Sequence, residues 1–180
     1  MPLTQVDEKV ALVVIDLQKG IVGLPLEGMS DVVARSAKLA KAFREKGQTV
    51  VLVNVNGRAP GRVDTGWNRT LPPDFADLIA ELEQSPDDVL ITKKRVGAFL
   101  GTRLDEELRK RGVTQVFFTG VATGSGVEST ARSAYDLGYN VVFVADAMTD
   151  MSAEIHQNCI ERSFPKLGEV ETAEGVLKML

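Results

Sequence analysis

A carboxylate and an amine stand at the ends of two apolar runs that lie far apart in the sequence. Asp16 closes "VALVVID" (10–16), and Lys93 follows "DVLIT" (88–92). A charge at the end of such a run is poorly solvated unless it is paired, and these two are natural partners. A third segment, "TGVATGSGVESTARSAYDLGY" (119–139), reads as a buried strand handing over to a helix. It would bring backbone N–H groups and the positive end of a helix beside the pair. Carboxylate, ammonium and amide donors meeting in one crevice make a hydrolytic site. The turn nevertheless contains no cysteine and no histidine, and glycine occupies positions 124 and 126.

The elements that must position these groups follow from the hydrophobic pattern. Besides the two runs above, "TVVLVNV" (49–55), "QVFFTG" (115–120) and "NVVFVAD" (140–146) are nearly continuous in apolar and β-branched residues. That is the pattern of strands covered on both faces. Helix-period segments lie between them. In "GTRLDEELRKRG" (101–112), Thr102 is placed to cap, Leu104 and Leu108 face inward, and Gly112 ends the helix. In the turn segment, Val127, Thr130, Ala131, Ala134 and Tyr135 form one stripe, and Gly138 ends it. Strand and helix in alternation predict βαβ units, a parallel sheet and helices on both faces. In such a sheet ligands bind beyond the carboxyl ends of the strands. Asp16, Gln18, Asn54, Asn56, Lys93 to Arg95, Thr119 to Gly126 and Asp146 are therefore the positions to inspect. The irregular stretch 55–74, with Arg58, Arg62 and Trp67, reads as a lid over the pocket or a subunit contact.

Composition bounds the rest. With 180 residues, 44% hydrophobic and 26% charged, the chain is expected to form one domain, residues 1–180, of ordinary globular character. A net charge of −4 without a basic stripe argues against nucleic acid and anionic membranes as partners. The single cysteine, Cys159, excludes an internal disulfide framework, and no basic leader precedes the first apolar run. A cytoplasmic location is the expectation.

"ALVVIDLQKG", "KKRVGAFLGTRLDEELRKRGV" and "TGVATGSGVESTARSAYDLGYNVVFVADAM" together resemble the isochorismatase-like hydrolases, also called the cysteine hydrolases. The likeness runs in order along nearly the whole chain. It implies a three-layer α/β/α, Rossmann-like fold with a six-stranded parallel sheet, and an oligomer that is a homodimer or larger. It also implies an Asp–Lys–Cys triad and a cis peptide before the nucleophile. Carried over by position, the aspartate falls on Asp16. The lysine falls on Lys93, six residues before Phe99, and the cis peptide joins Val121 to Ala122. The cysteine falls on Gly126, where this chain departs from the pattern. Two subgroups of the superfamily carry glycine there, true isochorismatases among them. Those usually have an aromatic residue and a histidine after T-G-V, where this chain has Ala122, Thr123 and Gly124.

Without a thiol, the expected chemistry is direct hydrolysis of a small molecule, with no cofactor and no metal. Asp16 acts as general acid or base, Lys93 holds it, and the amides near Gly126 bind developing negative charge. Gln18, Val121, Ala122 and Ser125 are the expected substrate contacts. Losing the side chain at Gly126 is expected to leave room for a water or a substrate group. An adjacent Lys93 is expected to lower the pKa of Asp16, which favours the base role. Plainer readings stand beside these. Asp16 and Lys93 form a structural ion pair, Ser125 caps a helix, Glu128 and Arg132 are an i,i+4 surface pair, and His156 is a packing residue. Two other functions compete with hydrolysis: a catalytically silent metabolite-binding protein, and a scaffold subunit.

Overall fold

The backbone of the sheet follows directly from where water can and cannot reach. In the structure, a computed structural model describing residues 1–64 and 70–180, strand β1 (Val10–Ile15) is buried along its whole length. It lies between β2 (Thr49–Val55) and β4 (Gln115–Val121), parallel to both. Strands β3 (Val89–Lys93), β5 (Asn140–Thr149) and β6 (Glu169–Glu171) complete a six-stranded parallel sheet in the order β3-β2-β1-β4-β5-β6. The order reverses between β1 and β4, and the carboxyl ends of strands at such a reversal are where parallel sheets bind ligands. Asp16 leaves β1 at that point, and the 119–139 turn leaves β4 there.

Successive residues of β1 serve opposite faces. Val10, Leu12 and Val14 join an apolar cluster with Val32, Leu39 and Phe43 of helix α2 (Met29–Glu45). Ala11, Val13 and Ile15 join another with Leu104 and Leu108 of α3 (Leu104–Lys110) and Ala131 and Ala134 of α4 (Glu128–Asp136). This alternation is the period of two expected of a strand, and it gives the three-layer α/β/α arrangement. The other α-helices among the described residues are short: α1 (Lys19–Val22), α5 (Ala153–Asn158) and α6 (Ala173–Met179). No helix among the described residues is long and apolar enough to cross a membrane.

Several local expectations change. β3 is an edge strand covered on one face only, and Leu90 is 43% exposed. Tyr135 falls off the α4 stripe and is half exposed. β5 continues past Asp146 to Thr149, with a register shift where β4 passes from Phe118 to Gly120. Asp146 is therefore inside a strand, where it pairs with Arg35 at 3.3 Å and accepts from the Ala173 amide, away from the crevice. β6 escapes the hydrophobic pattern because it is three residues long and carries two glutamates. It is held by β5 and by the N-terminal segment, whose Thr4 bonds Glu169. Trp67 lies outside the described residues.

Gly120 shows how closely β1 and β4 approach at the crevice. Its φ is +106°, and an added Cβ would stand 2.0 Å from the Ile15 carbonyl oxygen. Both the conformation and the contact are closed to an L side chain. Gly120→Ala is expected to destabilise the protein by about 3 kcal/mol or more, read as a loss of urea midpoint or of folded protein.

Candidate active site

Asp16 takes a left-handed backbone conformation, φ +54°, at the end of β1. Aspartate tolerates that region at a cost of about 1 kcal/mol, and here it turns the chain out of the strand. The turn is fixed by two backbone bonds, from the Asp16 amide to Val53 and from the Gln18 amide to Asp16, each 2.9 Å. Lys93 is the last residue of β3, and its backbone carbonyl holds the Asn56 amide. The two side chains converge: Lys93 Nζ lies 2.8 Å from Asp16 Oδ2, with both residues almost wholly buried. Lys93 also donates to the Arg95 carbonyl at 3.3 Å. Asp16 Oδ1 is buried and has no hydrogen-bond partner.

Gly126 is the immediate neighbour of this carboxylate. A Cβ placed there would be 3.1 Å from Ile15 Cγ2, 3.2 Å from the Val121 carbonyl oxygen and 3.3 Å from Asp16 Oδ2. Acid, amine and the side-chain-free position are thus one cluster. The niche at the Cβ position is narrow and bordered by two oxygens, the Val121 carbonyl and Asp16 Oδ2. Val121 is buried, and the Val121–Ala122 peptide is cis.

Electrostatics reverse one expectation. Burial pushes the Asp16 carboxyl up to about 6, and the neighbouring Lys93 only partly offsets it. Removing a carboxylate from water disfavours its charged form more than one ammonium can restore it. The lowered pKa expected from Lys93 alone is therefore overturned in sign.

The turn leaving β4 is a wide helical turn, residues 123–127, that runs straight into α4. Its amides are partly committed. Those of Ser125 and Val127 donate to the Ala122 carbonyl, and that of Gly124 donates to Asp150 Oδ2 at 2.8 Å. Ser125 is exposed and caps nothing, so the cap reading of its side chain does not hold. The Gln18 amide group is fully engaged, donating to the carbonyls of Val55 and Phe75 and accepting from the Val55 amide. It clamps the ends of β1 and β2 to the chain at Phe75. Asn54 is similarly tied to the Ala76 carbonyl.

Asp150, which the sequence did not single out, joins His156 and Cys159 around the turn. Asp150 holds Gly124, and Thr123 Oγ1 lies 2.8 Å from His156 Nδ1. Cys159, remote along the chain, packs beneath the turn, 3.3 Å from where a Cβ on Gly124 would be. Its Sγ contacts Glu128 Oε2 at 3.4 Å, and burial with that carboxylate pushes the thiol up to about 12. A thiol so protonated is a poor nucleophile. Glu128 also pairs with Arg132, as the i,i+4 spacing indicated. No cluster of three or more His, Cys, Asp or Glu side chains among the described residues is arranged to hold a metal ion. A separate depression of about 440 Å³ lies at the amino ends of β1 and β2. Its Arg44 and Arg111 are already paired with Asp88 and Glu107.

Comparison with known proteins gives the geometry a context. The family model described as "Isochorismatase domain" matches residues 10–175. The chain is 39% identical to the uncharacterized isochorismatase family protein YwoC of Bacillus subtilis, across 96% of this chain and 95% of that one. It is 30% identical to the ureidoacrylate amidohydrolase RutB of Variovorax paradoxus, across 93% of this chain and 80% of the other. Among solved structures, an isochorismatase family protein from Burkholderia thailandensis superposes with a TM-score of 0.94 at 42% identity. That match covers 98% of this chain and 97% of the other.

The raised Asp16 pKa has a stability consequence. The folded state favours the protonated carboxyl, so this group's contribution is complete at low pH and is lost as pH rises from 3.8 through about 6. The Asp16→Asn protein lacks that dependence. Urea unfolding across this window is expected to show wild type losing stability relative to Asp16→Asn as pH increases.

Proposed function

The chain belongs to the isochorismatase family, and on that premise we propose that it is a small-molecule hydrolase working without a covalent intermediate. The observation that carries this reading is the buried Asp16–Lys93 pair beside a position that has no side chain. The chain is then one of the family's glycine-bearing members, with Gly126 where others hold a nucleophilic cysteine.

In this mechanism Asp16 is the general base. A carboxyl poised at about 6 is mostly ionised at neutral pH, yet more basic than an ordinary carboxylate. Its unpartnered Oδ1 accepts a proton from water as the water oxygen attacks the electrophilic carbon of the substrate. Charge developing on the substrate oxygen is met by backbone amides of the turn that leaves β4 and by the positive end of the helix behind it. Asp16 then returns its proton to the leaving group, which restores the carboxylate. Lys93 keeps the base ionised against the penalty of burial. Such base catalysis contributes about 10²–10⁴-fold to rate. The relationship to an amidohydrolase supports an attacked carbon of the amide type.

The test is turnover of a panel of small amides and related substrates. Asp16→Asn is expected to lower kcat by about 10²-fold or more. Treatment with a thiol-alkylating reagent is expected to leave kcat unchanged, because Cys159 is buried and its thiol protonated, and kcat/KM should rise with pH through a midpoint near 6. Saturable binding without turnover, indifferent to Asp16→Asn, would instead identify a silent metabolite-binding protein.

A further inference from the structure

We propose that Thr130 is a positioning residue for this site, its buried hydroxyl fastening the loop that holds Lys93 to the backbone of Gly126. The proposal rests on the hydrolytic reading above. Thr130 is completely buried on the core-facing stripe of α4 among small apolar residues. Its hydroxyl donates to the Gly126 carbonyl at 2.6 Å and accepts from the Ala98 amide at 3.1 Å.

The first bond alone is ordinary, since helical threonines commonly bond the carbonyl four residues back. The second spans 32 residues and is not a helix bond. Back-bonding fixes the hydroxyl hydrogen on Gly126, which leaves the oxygen lone pairs aimed at Ala98. Ala98 is itself fully buried, so its N–H has no water to turn to.

The loop and helix are in close contact one residue earlier. A Cβ on Gly97 would lie 2.8 Å from Ser129 Oγ and 3.3 Å from the Ser129 carbonyl, so the loop backbone passes close against α4 at this glycine. From this same loop the Arg95 carbonyl accepts a hydrogen bond from Lys93 Nζ. That ammonium also binds Asp16 Oδ2. A continuous set of contacts therefore runs from the Gly126 backbone through Thr130, Ala98 and Arg95 to Lys93 and Asp16. It sets the spacing between the ion pair and the glycine niche.

Thr130→Val keeps the branched shape and removes both bonds; Thr130→Ser keeps them. The readout is the carboxyl titration of Asp16 by ¹³C NMR of aspartate-labelled protein, with the resonance assigned by its loss in Asp16→Asn. Among the described residues, Lys93 is the charge that acts to lower this carboxyl. Loosening its loop should raise the Asp16 midpoint by about half a unit or more in Thr130→Val. Thr130→Ser should titrate as wild type. On any substrate found, Thr130→Val should lose about tenfold in kcat with KM little changed. A Thr130→Val protein that is folded and less stable, but has an unaltered Asp16 midpoint, overturns the proposal and leaves a merely structural threonine. Should that variant fail to fold, hydrogen exchange on wild type decides: the proposal requires a strongly protected Ala98 amide, and fast exchange there overturns it. A wild-type Asp16 titrating in the ordinary carboxylate range would remove the base from the hydrolytic reading, whatever Thr130 does.

Discussion

The structure is organised around a buried carboxylate that one ammonium does not fully neutralise. Asp16 and Lys93 are both removed from water and meet at 2.8 Å. In the interior, the penalty for desolvating two charges rivals their attraction, and such a pair adds little net stability. What it does supply is a carboxyl group held near 6 with one free oxygen. A core built for stability alone would carry apolar side chains at these strand ends. The reversal of strand order between β1 and β4 puts the pair at the end of the sheet where parallel sheets bind ligands.

Everything adjacent to the pair acts as a brace. Gln18 clamps the β1 turn, Asp150 and His156 hold the far side of the helical turn, and Thr130 joins that turn to the Lys93 loop. Their side-chain hydrogen bonds go to backbone groups of other elements or, for His156, to the turn's own threonine. Glycines complete the arrangement by allowing backbones to touch, at Gly120 against β1 and at Gly97 against α4. A small displacement of any brace is felt at the carboxylate, because packed interiors transmit shifts instead of absorbing them. Cys159 beneath the turn is part of this packing, with its thiol held protonated by burial and by Glu128.

Five strands, the α3 and α4 faces and the strand-end positions of Asp16 and Lys93 were legible because each is written in consecutive residues. A strand that avoids water on both faces must be apolar throughout, and a helix that avoids it on one face repeats every three to four residues. The ordered motifs also placed the side-chain-free position at Gly126, and the structure sets that residue against Asp16. β6 was illegible because three residues with two glutamates carry no such pattern. Asp146 was misplaced because a register shift prolongs β5, and such a shift has no local signature.

The sequence by itself determined the layers, the strand ends and which two charges could meet, since local exclusion from water is encoded locally. Tertiary structure alone decided the sign of the Asp16 shift, the engagement of Gln18 with backbone groups and the bridging role of the Thr130 hydroxyl. The reason is physical. Desolvation sums over every neighbour that excludes water, and hydrogen-bond partners are chosen among groups many residues away, so neither can be read until the chain has closed around them.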